Sequence, residues 1–494
     1  MSLSLDIGSG APSETIGDLV KARKWDEVKE LVLKDPHLSF WTDPSNARTP
    51  LHIMCRMCFG QDEVADSSNE KSGMDFLPSH IKVARALINS SHECEPVILP
   101  RPEGLDSNGE GRDEMYQVHM SVLTVQDYLG NTPLHNLCGH MRSACPRLAR
   151  LILSSASDSG VLDWGNKKYS RAPKIYDLLT VKNAHGCTVL HFIGEGSAPW
   201  EVSKNVLDAC NSTELGQDAR LHPMLVQDDD GDTPLHFACS AGRDPRFLQY
   251  FLDDKAFVVH KANNDGRLPV DDLIVWFVDE NDSDSEGDNT MPLLERATED
   301  MLTSLWQRLE VLMVMATDET CENELSSARF QPLHAAASYQ NFPSIVLRLA
   351  CKLFSDELTR RDENGLVALH VASCKQECQK SKDPGTEMYA ELARWNSDRE
   401  NDTIITFLTS LNPDSAQLLT YEGRLPLHVA IESGKSISDI QHLLSVAPKS
   451  LEIRDRVTRL QPFMLSAIGE GASFDLIYFL LLRNPELLRC GTLR

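Results

Sequence analysis

The sequence predicts an all-α protein built as a solenoid of stacked helix–turn–helix layers. A turn followed by a helix start, seen at residues 229–239, occurs nine times along the 494-residue chain. Where no extra residues intervene, consecutive copies lie 35 or 36 residues apart. Apolar residues make up 41% of the chain, enough for a continuous core. A repeat of this length is typical of solenoids, in which each layer buries its apolar face only against its neighbours.

The copy at residues 229–239 has the residue types that a turn and a helix start require. Asp230 and Gly231 favour a turn, because glycine adopts a positive φ without steric cost. Thr233 is a good N-cap, whose hydroxyl accepts a hydrogen bond from a free backbone N–H. Pro234 stands at the first helical position, where a missing N–H costs nothing. The following leucine is therefore predicted to face the core.

Six further copies end, like this one, in a Leu-His pair, and two copies are degenerate. The six are Thr49-Pro50-Leu51-His52, Thr132-Pro133-Leu134-His135, Thr188-Val189-Leu190-His191, Gln331-Pro332-Leu333-His334, Val367-Ala368-Leu369-His370 and Leu425-Pro426-Leu427-His428. The degenerate two are Leu268-Pro269-Val270-Asp271 and Gln461-Pro462-Phe463-Met464. This pattern strongly resembles the ankyrin repeat over most of the chain. The resemblance implies an ankyrin-type solenoid, with weaker repeats where the proline or the histidine is replaced.

The pattern divides the chain into two arrays. Residues 1–15 are predicted to be disordered, and residues 16–278 form an N-terminal array opened by a capping helix pair. An acidic linker follows at 279–290, because residues 279–288 contain no apolar side chain. Residues 291–494 form the C-terminal array, opened by a helix over 291–316. The linker serines 283 and 285 are phosphorylation candidates, although a plain solvated linker is the favoured interpretation.

Extra residues between motif copies are predicted to be solvated or disordered insert loops. The inserts are polar and rich in Gly and Pro, and they lie at residues 61–80, 100–114, 155–172 and 376–402. At the other end, no polar capping repeat follows the apolar stretch 474–482. Solenoids need their terminal faces covered. Either the helix at 474–482 is the cap, or a partner is, or further chain follows.

Charge and composition exclude several classes of partner. The formal net charge of −25 argues against sequence-independent binding to nucleic acid or to anionic membranes, which need a positive field. No apolar run approaches the length of a membrane span. Thirteen cysteines without framework spacing, and an N-terminus without secretory features, indicate reduced thiols in the cytoplasm or nucleus.

The residues do not predict catalysis, a metal site or a cofactor. The repeated histidines are interpreted as hydrogen-bonding the turn of their own or the next repeat, since stacked layers hold them about 10 Å apart. His52-x-x-Cys55-x-x-Cys58 has the most metal-like spacing, but Cys55, Cys138 and Cys239 share one repeat position that favours small residues. Phosphate-binding glycine loops, the Gly-x-Ser-x-Gly nucleophile motif and zinc-protease motifs do not occur in the sequence.

The resemblance implies a non-enzymatic scaffold or adaptor that binds proteins at the turn tips and the concave helices. Its implied contact residues are Tyr128, Leu129, Asn131, Asp229, Asp230, Asp232, Arg267, Glu363, Asn364, Tyr421, Glu422 and Arg424. Helix positions that extend this surface are Ser240, Ala241, Ser338, Tyr339, Glu432 and Ser433. The acidic run 228–232 favours a partner with a basic patch.

Two other functions remain open from the sequence. In the first, the chain is a regulatory subunit whose polar inserts hold short linear motifs, and the solenoid is only a spacer. In the second, an unrecognised enzyme site lies within residues 291–330. Ankyrin repeats indicate a mode of binding and leave the partner unidentified.

Overall fold

A computed structural model describes most of the chain, in segments. The described residues are 15–57, 78–93, 97–100, 116–119, 121–139, 145–156, 162–164, 167–169, 173–212, 222–253, 256–282, 297–318, 331–338, 344–374, 403–468 and 474–484. Several expectations concern residues outside these ranges. These are the disorder proposed for residues 1–15, of which only Thr15 is described, the insert at 376–402, Tyr339 and the two linker serines.

The described residues form 21 α-helices and four short strands. The helices are α1 Ile16–Lys21, α2 Trp25–Lys34, α3 Pro50–Cys55, α4 Ser79–Glu93, α5 Pro133–Cys138, α6 Pro146–Ser154, α7 Ile175–Thr180, α8 Val189–Glu195, α9 Trp200–Ser212, α10 Pro234–Ser240, α11 Pro245–Leu252, α12 Pro269–Asp282, α13 Glu299–Asp318, α14 Pro332–Ser338, α15 Ser344–Leu353, α16 Ala368–Cys374, α17 Ile404–Leu411, α18 Pro426–Glu432, α19 Ile437–Val446, α20 Pro462–Leu465 and α21 Phe474–Arg483. The strands are β1 Val97–Pro100, β2 Tyr116–His119, β3 Leu162–Trp164 and β4 Lys167–Tyr169. Within the described part of the chain, no helix is both long and apolar enough to cross a membrane.

The chain forms two compact units. The first contains Met1–Asp253 and His260–Leu273, and the second contains Asp254–Val259 and Ile274–Arg494. Helix α12 extends to Asp282, four residues into the linker proposed at 279–290. The boundary between the two arrays stays a prediction.

The first unit stacks its helices in two rows. The motif helices α3, α5, α8 and α10 pack one against the next, beginning from α1. A second row contains α2, α4, α6 and α9, which also pack in sequence order. The motif leucines are buried between the rows, as the sequence predicted: these are Leu51, Leu134, Leu190 and Leu235. Their burial stabilises each layer by about 2 kcal/mol per side chain.

The second unit repeats this arrangement. Its motif helices α14, α16, α18 and α20 pack in order, and their leucines Leu333, Leu369 and Leu427 are buried. Helix α13 packs on α15, and its described bounds begin at Glu299 rather than at 291. The Thr298 hydroxyl accepts a hydrogen bond from the Met301 N–H at 3.4 Å, and this cap starts the helix there. The helical solenoid predicted from the sequence is thus confirmed.

One insert, 155–172, differs from the expected loop because it contains the antiparallel strand pair β3 and β4. A second antiparallel pair, β1 and β2, flanks the insert expected at 100–114. The sequence contains the signals: β-branched residues in Val97-Ile98, and a Gly165-Asn166 pair of the kind that connects hairpin strands.

The turns that precede the motif helices approach one another closely. Gly231 has a φ of +82°, and a β-carbon built there would lie 2.5 Å from the backbone nitrogen of Asn264 in the next turn. Gly266 has a similar φ of +80°, but a β-carbon there would meet nothing within 4 Å. The first glycine therefore has two requirements, a left-handed backbone and free space, and the second has only one.

We predict that Gly231→Ala lowers the free energy of unfolding by clearly more than Gly266→Ala does. Both changes introduce backbone strain of about 1 kcal/mol, and only the first also pushes neighbouring turns apart. Urea denaturation of the two full-length variants measures the difference. Equal losses would show that the close approach of the turns contributes nothing.

Candidate functional site

Five turn tips are five-residue turns held by an Asp or Asn side chain at the first position, and in the tip 420–424 the Thr420 hydroxyl accepts from the Arg424 N–H at 3.1 Å instead. In the tip 127–131, Asp127 Oδ1 accepts hydrogen bonds from the N–H groups of Leu129 and Asn131, both at 3.0 Å. Such side-chain bonds replace the backbone ladder that a turn lacks. The same pair of bonds is made at the first position of four other tips, by Asn183, Asp228, Asn263 and Asp362.

Backbone hydrogen bonds join each tip to the next within a unit. The Ala184 N–H donates to the carbonyl of Leu129 at 2.9 Å, and the Asn264 N–H donates to that of Asp230 at 3.2 Å. In the second unit, the Tyr421 N–H lies 3.4 Å from the carbonyl of Asn364. Each unit therefore presents its tips as a connected row with fixed spacing.

The motif histidines fasten each helix start to the following tip. His191 Nδ1 accepts from the Thr188 backbone N–H at 2.9 Å, and its Nε2 donates to the carbonyl of Asp232 at 3.0 Å. This arrangement requires the neutral imidazole with its proton on Nε2. All seven motif histidines make the second bond, to the carbonyls of Asn131, Cys187, Asp232, Arg267, Leu366, Arg424 and Ile453. The structural interpretation of these histidines is confirmed.

Burial keeps these imidazoles neutral. It lowers the pKa of four of them to about 4: His52, His135, His191 and His370. The pKa values of the other three, His236, His334 and His428, are also lowered, chiefly by burial. Two buried carboxyl groups behave oppositely, since burial raises the pKa of Asp271 to about 6 and that of Asp272 to about 7. Protonation of the histidines and ionisation of these carboxyl groups are both unfavourable in the fold.

We predict that the chain loses stability as the pH falls from about 6.5 to about 4. A histidine with a folded pKa of about 4 contributes stability that is complete above its unfolded value of about 6.5 and disappears as the pH falls through the folded value. Each such residue adds about 1 kcal/mol per pH unit in this window. Asp271 and Asp272 contribute with the opposite sign, losing stability as the pH rises from about 4 to about 7.

Urea denaturation at a series of pH values measures this slope. The variant His191→Gln removes one titrating imidazole, so its slope between pH 6.5 and 4 is expected to be shallower than that of the unchanged chain. High salt serves as the control, because it screens surface charges and leaves a burial effect in place. An identical slope in the variant would contradict the assignment of the pH effect to the motif histidines.

Eight of the residues predicted to contact partners project from the tips into solvent. They occupy the second and third positions of their turns: Tyr128, Leu129, Asp229, Asp230, Glu363, Asn364, Tyr421 and Glu422. Tyr128 and Leu129 are 51% and 52% exposed, and Tyr421 is 68% exposed. Tyr128 donates its hydroxyl to the carbonyl of Pro44 at 3.1 Å, on the preceding tip. Among the predicted helix positions, Ser240 and Glu432 are exposed.

The other four predicted contact residues stand at the fifth tip position and are half-buried. The fifth-position carbonyl accepts the histidine bond, and the side chain points into contacts with neighbouring turns. Asn131 Oδ1 accepts from the side-chain amide of Asn183 at 3.1 Å. Asp232 Oδ1 accepts from that of Asn263 at 2.7 Å. Arg267 and Arg424, the remaining two, form ion pairs within the protein.

Arg424 compensates a buried carboxylate. Its Nη2 lies 3.3 Å from Asp455 Oδ2 and 2.6 Å from Glu432 Oε2, and the Asp455 side chain is fully buried. Burial alone raises the pKa of Asp455. Hydrogen bonds from the Val457 N–H and the Thr458 hydroxyl, together with Arg424, nevertheless hold that pKa below its ordinary value. The guanidinium therefore serves the packing of two neighbouring tips.

We predict that Arg424→Ala lowers the free energy of unfolding by about 3 kcal/mol, because a buried carboxylate is left without its cation. The matched control is Arg454→Ala, at an exposed residue next to the same tip, which should change the stability by less than about 0.5 kcal/mol. Thermal and urea denaturation compare the two. Equal, small effects would show that Arg424 is free to serve a partner instead.

One group of side chains in the described residues has the spacing of a cation site. The ligand atoms of Asp232, His236 and Asp272 all lie within 4.8 Å of one another. Both His236 nitrogens, however, are already bonded, Nδ1 to the Thr233 hydroxyl at 2.8 Å and Nε2 to the Arg267 carbonyl. Arg267 Nη1 lies 3.6 Å from Asp272 Oδ1 and supplies the positive charge. The polar atoms of this group are thus engaged by internal hydrogen bonds and by the ion pair between Arg267 and Asp272.

The last tip of the second unit, residues 453–460, was not among the contact sites expected from the sequence. Ile453 and Val457 on this tip are 42% and 54% exposed. Its turn lacks the glycine found in the tips 362–366 and 420–424 and precedes the degenerate copy at 461–464. The spacing of that copy, 36 residues after His428, is the signal that could have located it.

The ankyrin repeat family model matches residues 230–264, which include α10 and α11. The histidine bond and the joined tips described above repeat the geometry of this segment in both units, so the fold is a helical solenoid of ankyrin-type repeats. Ankyrin repeats generally mediate protein–protein interactions.

Comparison with whole proteins adds little to this assignment. The solved ankyrin repeat protein EF0377 is 14% identical, with a TM-score of 0.29, over 54% of this chain and 93% of that chain. This likeness is too low to support an argument. No curated protein matches the chain.

Proposed function

We propose that the chain is a non-enzymatic scaffold or adaptor that binds proteins through the outward residues of its tips and the exposed starts of its motif helices. The observation that supports this most directly is the exposure of Tyr128, Leu129 and Tyr421. Large apolar or aromatic side chains on a turn do nothing for turn geometry, whereas they are typical anchors of protein interfaces.

The outward positions of the first unit change character along the row. They change from Tyr128 and Leu129 on one tip to Asp229 and Asp230 two tips later, with Asp265 on the tip after that. A partner that fits this row has an apolar patch followed by a basic one. The basic patch also fits the net charge of −25, which accelerates association with positive partners.

The second unit offers a different row. Its outward residues combine single aromatic and acidic side chains, with Tyr421 and Glu422 on one tip and Val457 on the next. Arg361 stands 5.9 Å from the centre of the Tyr421 ring. Two rows of different chemistry are what an adaptor with two partners would use.

We also propose that the protein is located in the cytoplasm or nucleus, that it binds no nucleic acid and that it has no catalytic activity. The eight cysteines among the described residues form no disulfide bond, and seven are buried or half-buried. Reduced thiols suit the reducing cytoplasm or nucleus. The negative field favours protein partners over nucleic acid. The seven motif histidines hydrogen-bond the carbonyls of neighbouring turns, which supports a function without catalysis by these residues.

We predict that Tyr128→Ala and Tyr421→Ala each weaken partner binding at least about tenfold and change the stability by less than about 1 kcal/mol. The full chain, used as bait in an extract of its native cell, supplies partners for identification by mass spectrometry. A recovered partner is then titrated against each variant, and circular dichroism checks the fold. Tyr128→Phe is the matched control, since it loses only the hydroxyl bond to Pro44.

Deletion of inserts separates this proposal from the linear-motif alternative. Helix α4 begins at Ser79, so a deletion of 61–77 spares it, and a deletion of 376–402 spares α17. Retained binding in both deletions, together with loss in the tyrosine variants, supports the tip surface. Lost binding in a folded deletion variant, with unchanged binding by the tyrosine variants, would transfer the function to the inserts.

A further inference from the structure

The last helix of the second unit, α21, differs from the equivalent helix of the preceding repeat. Helices α19 and α21 each contain ten residues and end one residue before an Ala-Pro or Asn-Pro pair, with the prolines at 448 and 485. This spacing of 37 residues aligns the two helices position by position. Ile437, Gln441 and Ser445 of α19 correspond to Phe474, Tyr478 and Leu482 of α21.

The three α21 residues form an exposed apolar stripe. They are spaced four apart, which places them along one side of the helix over about 12 Å. Phe474 is 88% exposed, Tyr478 is 66% exposed and Leu482 is 63% exposed. The opposite side of α21 faces the core, where Leu476 and Leu480 are buried. A helix that is apolar on both its core side and its solvent side is typical of one that meets a further surface.

Addition of another repeat would not cover this stripe. The equivalent α19 positions Gln441 and Ser445 are exposed although α20 and α21 follow them in the same unit. Ile437 is likewise 38% exposed. The stripe therefore lies on the outer side of the helix row, where the preceding repeat has polar residues at two of the three positions.

The charges beside the stripe make it complementary to itself. Asp475 follows Phe474 at one end, Arg483 follows Leu482 at the other, and both are exposed. Arg483 also lies 5.2 Å from the centre of the Phe479 ring on its own helix. A two-fold axis between two antiparallel copies of α21 brings Tyr478 opposite Tyr478 and Phe474 opposite Leu482. The same axis brings each Asp475 beside the Arg483 of the other copy.

We propose that the occupant of this stripe is a second copy of the chain, bound by antiparallel pairing of the two α21 helices. The apolar stripe supplies the affinity, and the two Asp475–Arg483 pairs set the orientation. One helix pair buries less area than a standard stable interface, so the dimer is reversible and forms in the micromolar range. The stripe contains no residue of the described tips of the second unit, so the dimer would present that tip surface twice.

Analytical ultracentrifugation of the full 55.1 kDa chain over a range of concentrations tests the proposal. At physiological salt the mass is expected to rise toward twice this value as the concentration increases. Tyr478→Glu is expected to raise the dimer dissociation constant at least about 100-fold, because it places two like charges at the centre of the interface. The matched control, Gln441→Glu at the equivalent position of α19, should dimerise like the unchanged chain.

Charge reversal at Asp475 and Arg483 tests the antiparallel orientation. Both residues are exposed, so these changes should leave the fold intact. Asp475→Arg alone and Arg483→Asp alone each turn both pairs repulsive, and each should weaken dimerisation about tenfold or more. An equimolar mixture of these two variants restores both pairs, so a heterodimer of nearly unchanged affinity is expected. Dimerisation of every variant like the unchanged chain, or failure of the mixture, would overturn the proposal. A chain that stays monomeric at all concentrations would overturn it as well.

Discussion

The hydrogen bond from the histidine Nε2 to the carbonyl of the next tip is the interaction on which the rest of the structure depends. It joins the start of one motif helix to the turn that begins the following repeat, and seven repeats make it. Because the imidazole is buried, the bond is made only by the neutral tautomer with a proton on Nε2. Asp271, which replaces histidine in one copy, instead accepts the Leu268 N–H at 2.7 Å and caps its own helix. That copy keeps the helix start and loses the bond to the next turn.

This bond divides the five residues of a tip between two roles. In the tips 127–131, 183–187, 228–232, 263–267, 362–366 and 420–424 the first position holds the turn through an Asp, Asn or Thr side chain, and the fifth supplies the carbonyl that the histidine binds. Side chains at the second and third positions do not hold the turn itself, so they can vary more and can meet a partner. Tyr128 and Arg424 illustrate the contrast: the tyrosine ring projects from its tip, whereas the guanidinium is held against a buried aspartate.

The two exposed apolar surfaces have different physical origins. The outward side chains of the tips are exposed because the turns project past the helices and no further layer of protein covers them within their own unit. The stripe on α21 is exposed although it lies on a helix whose equivalent in the preceding repeat is mainly polar on that side. Neither surface contributes to the core, so both can change in sequence without loss of the fold. The interior is more constrained, as shown by Gly231, where the backbone of the next turn occupies the space of a side chain.

The sequence by itself determined the repeat, the helix starts and the burial of the motif leucines and histidines, because these depend on local capping and on a fixed period. It also located Tyr128 and Tyr421 on turns. It missed the strand pairs in and beside the inserts, although the Gly165-Asn166 pair was a usable signal. Only the tertiary structure decided which tip side chains are exposed to a partner. In the sequence, Arg424 and Glu422 are both charged residues of one turn, and nothing in the turn pattern distinguishes them. The ion pair between Arg424 and the buried Asp455 of the next repeat forms only when the layers stack, so a local sequence pattern cannot predict it.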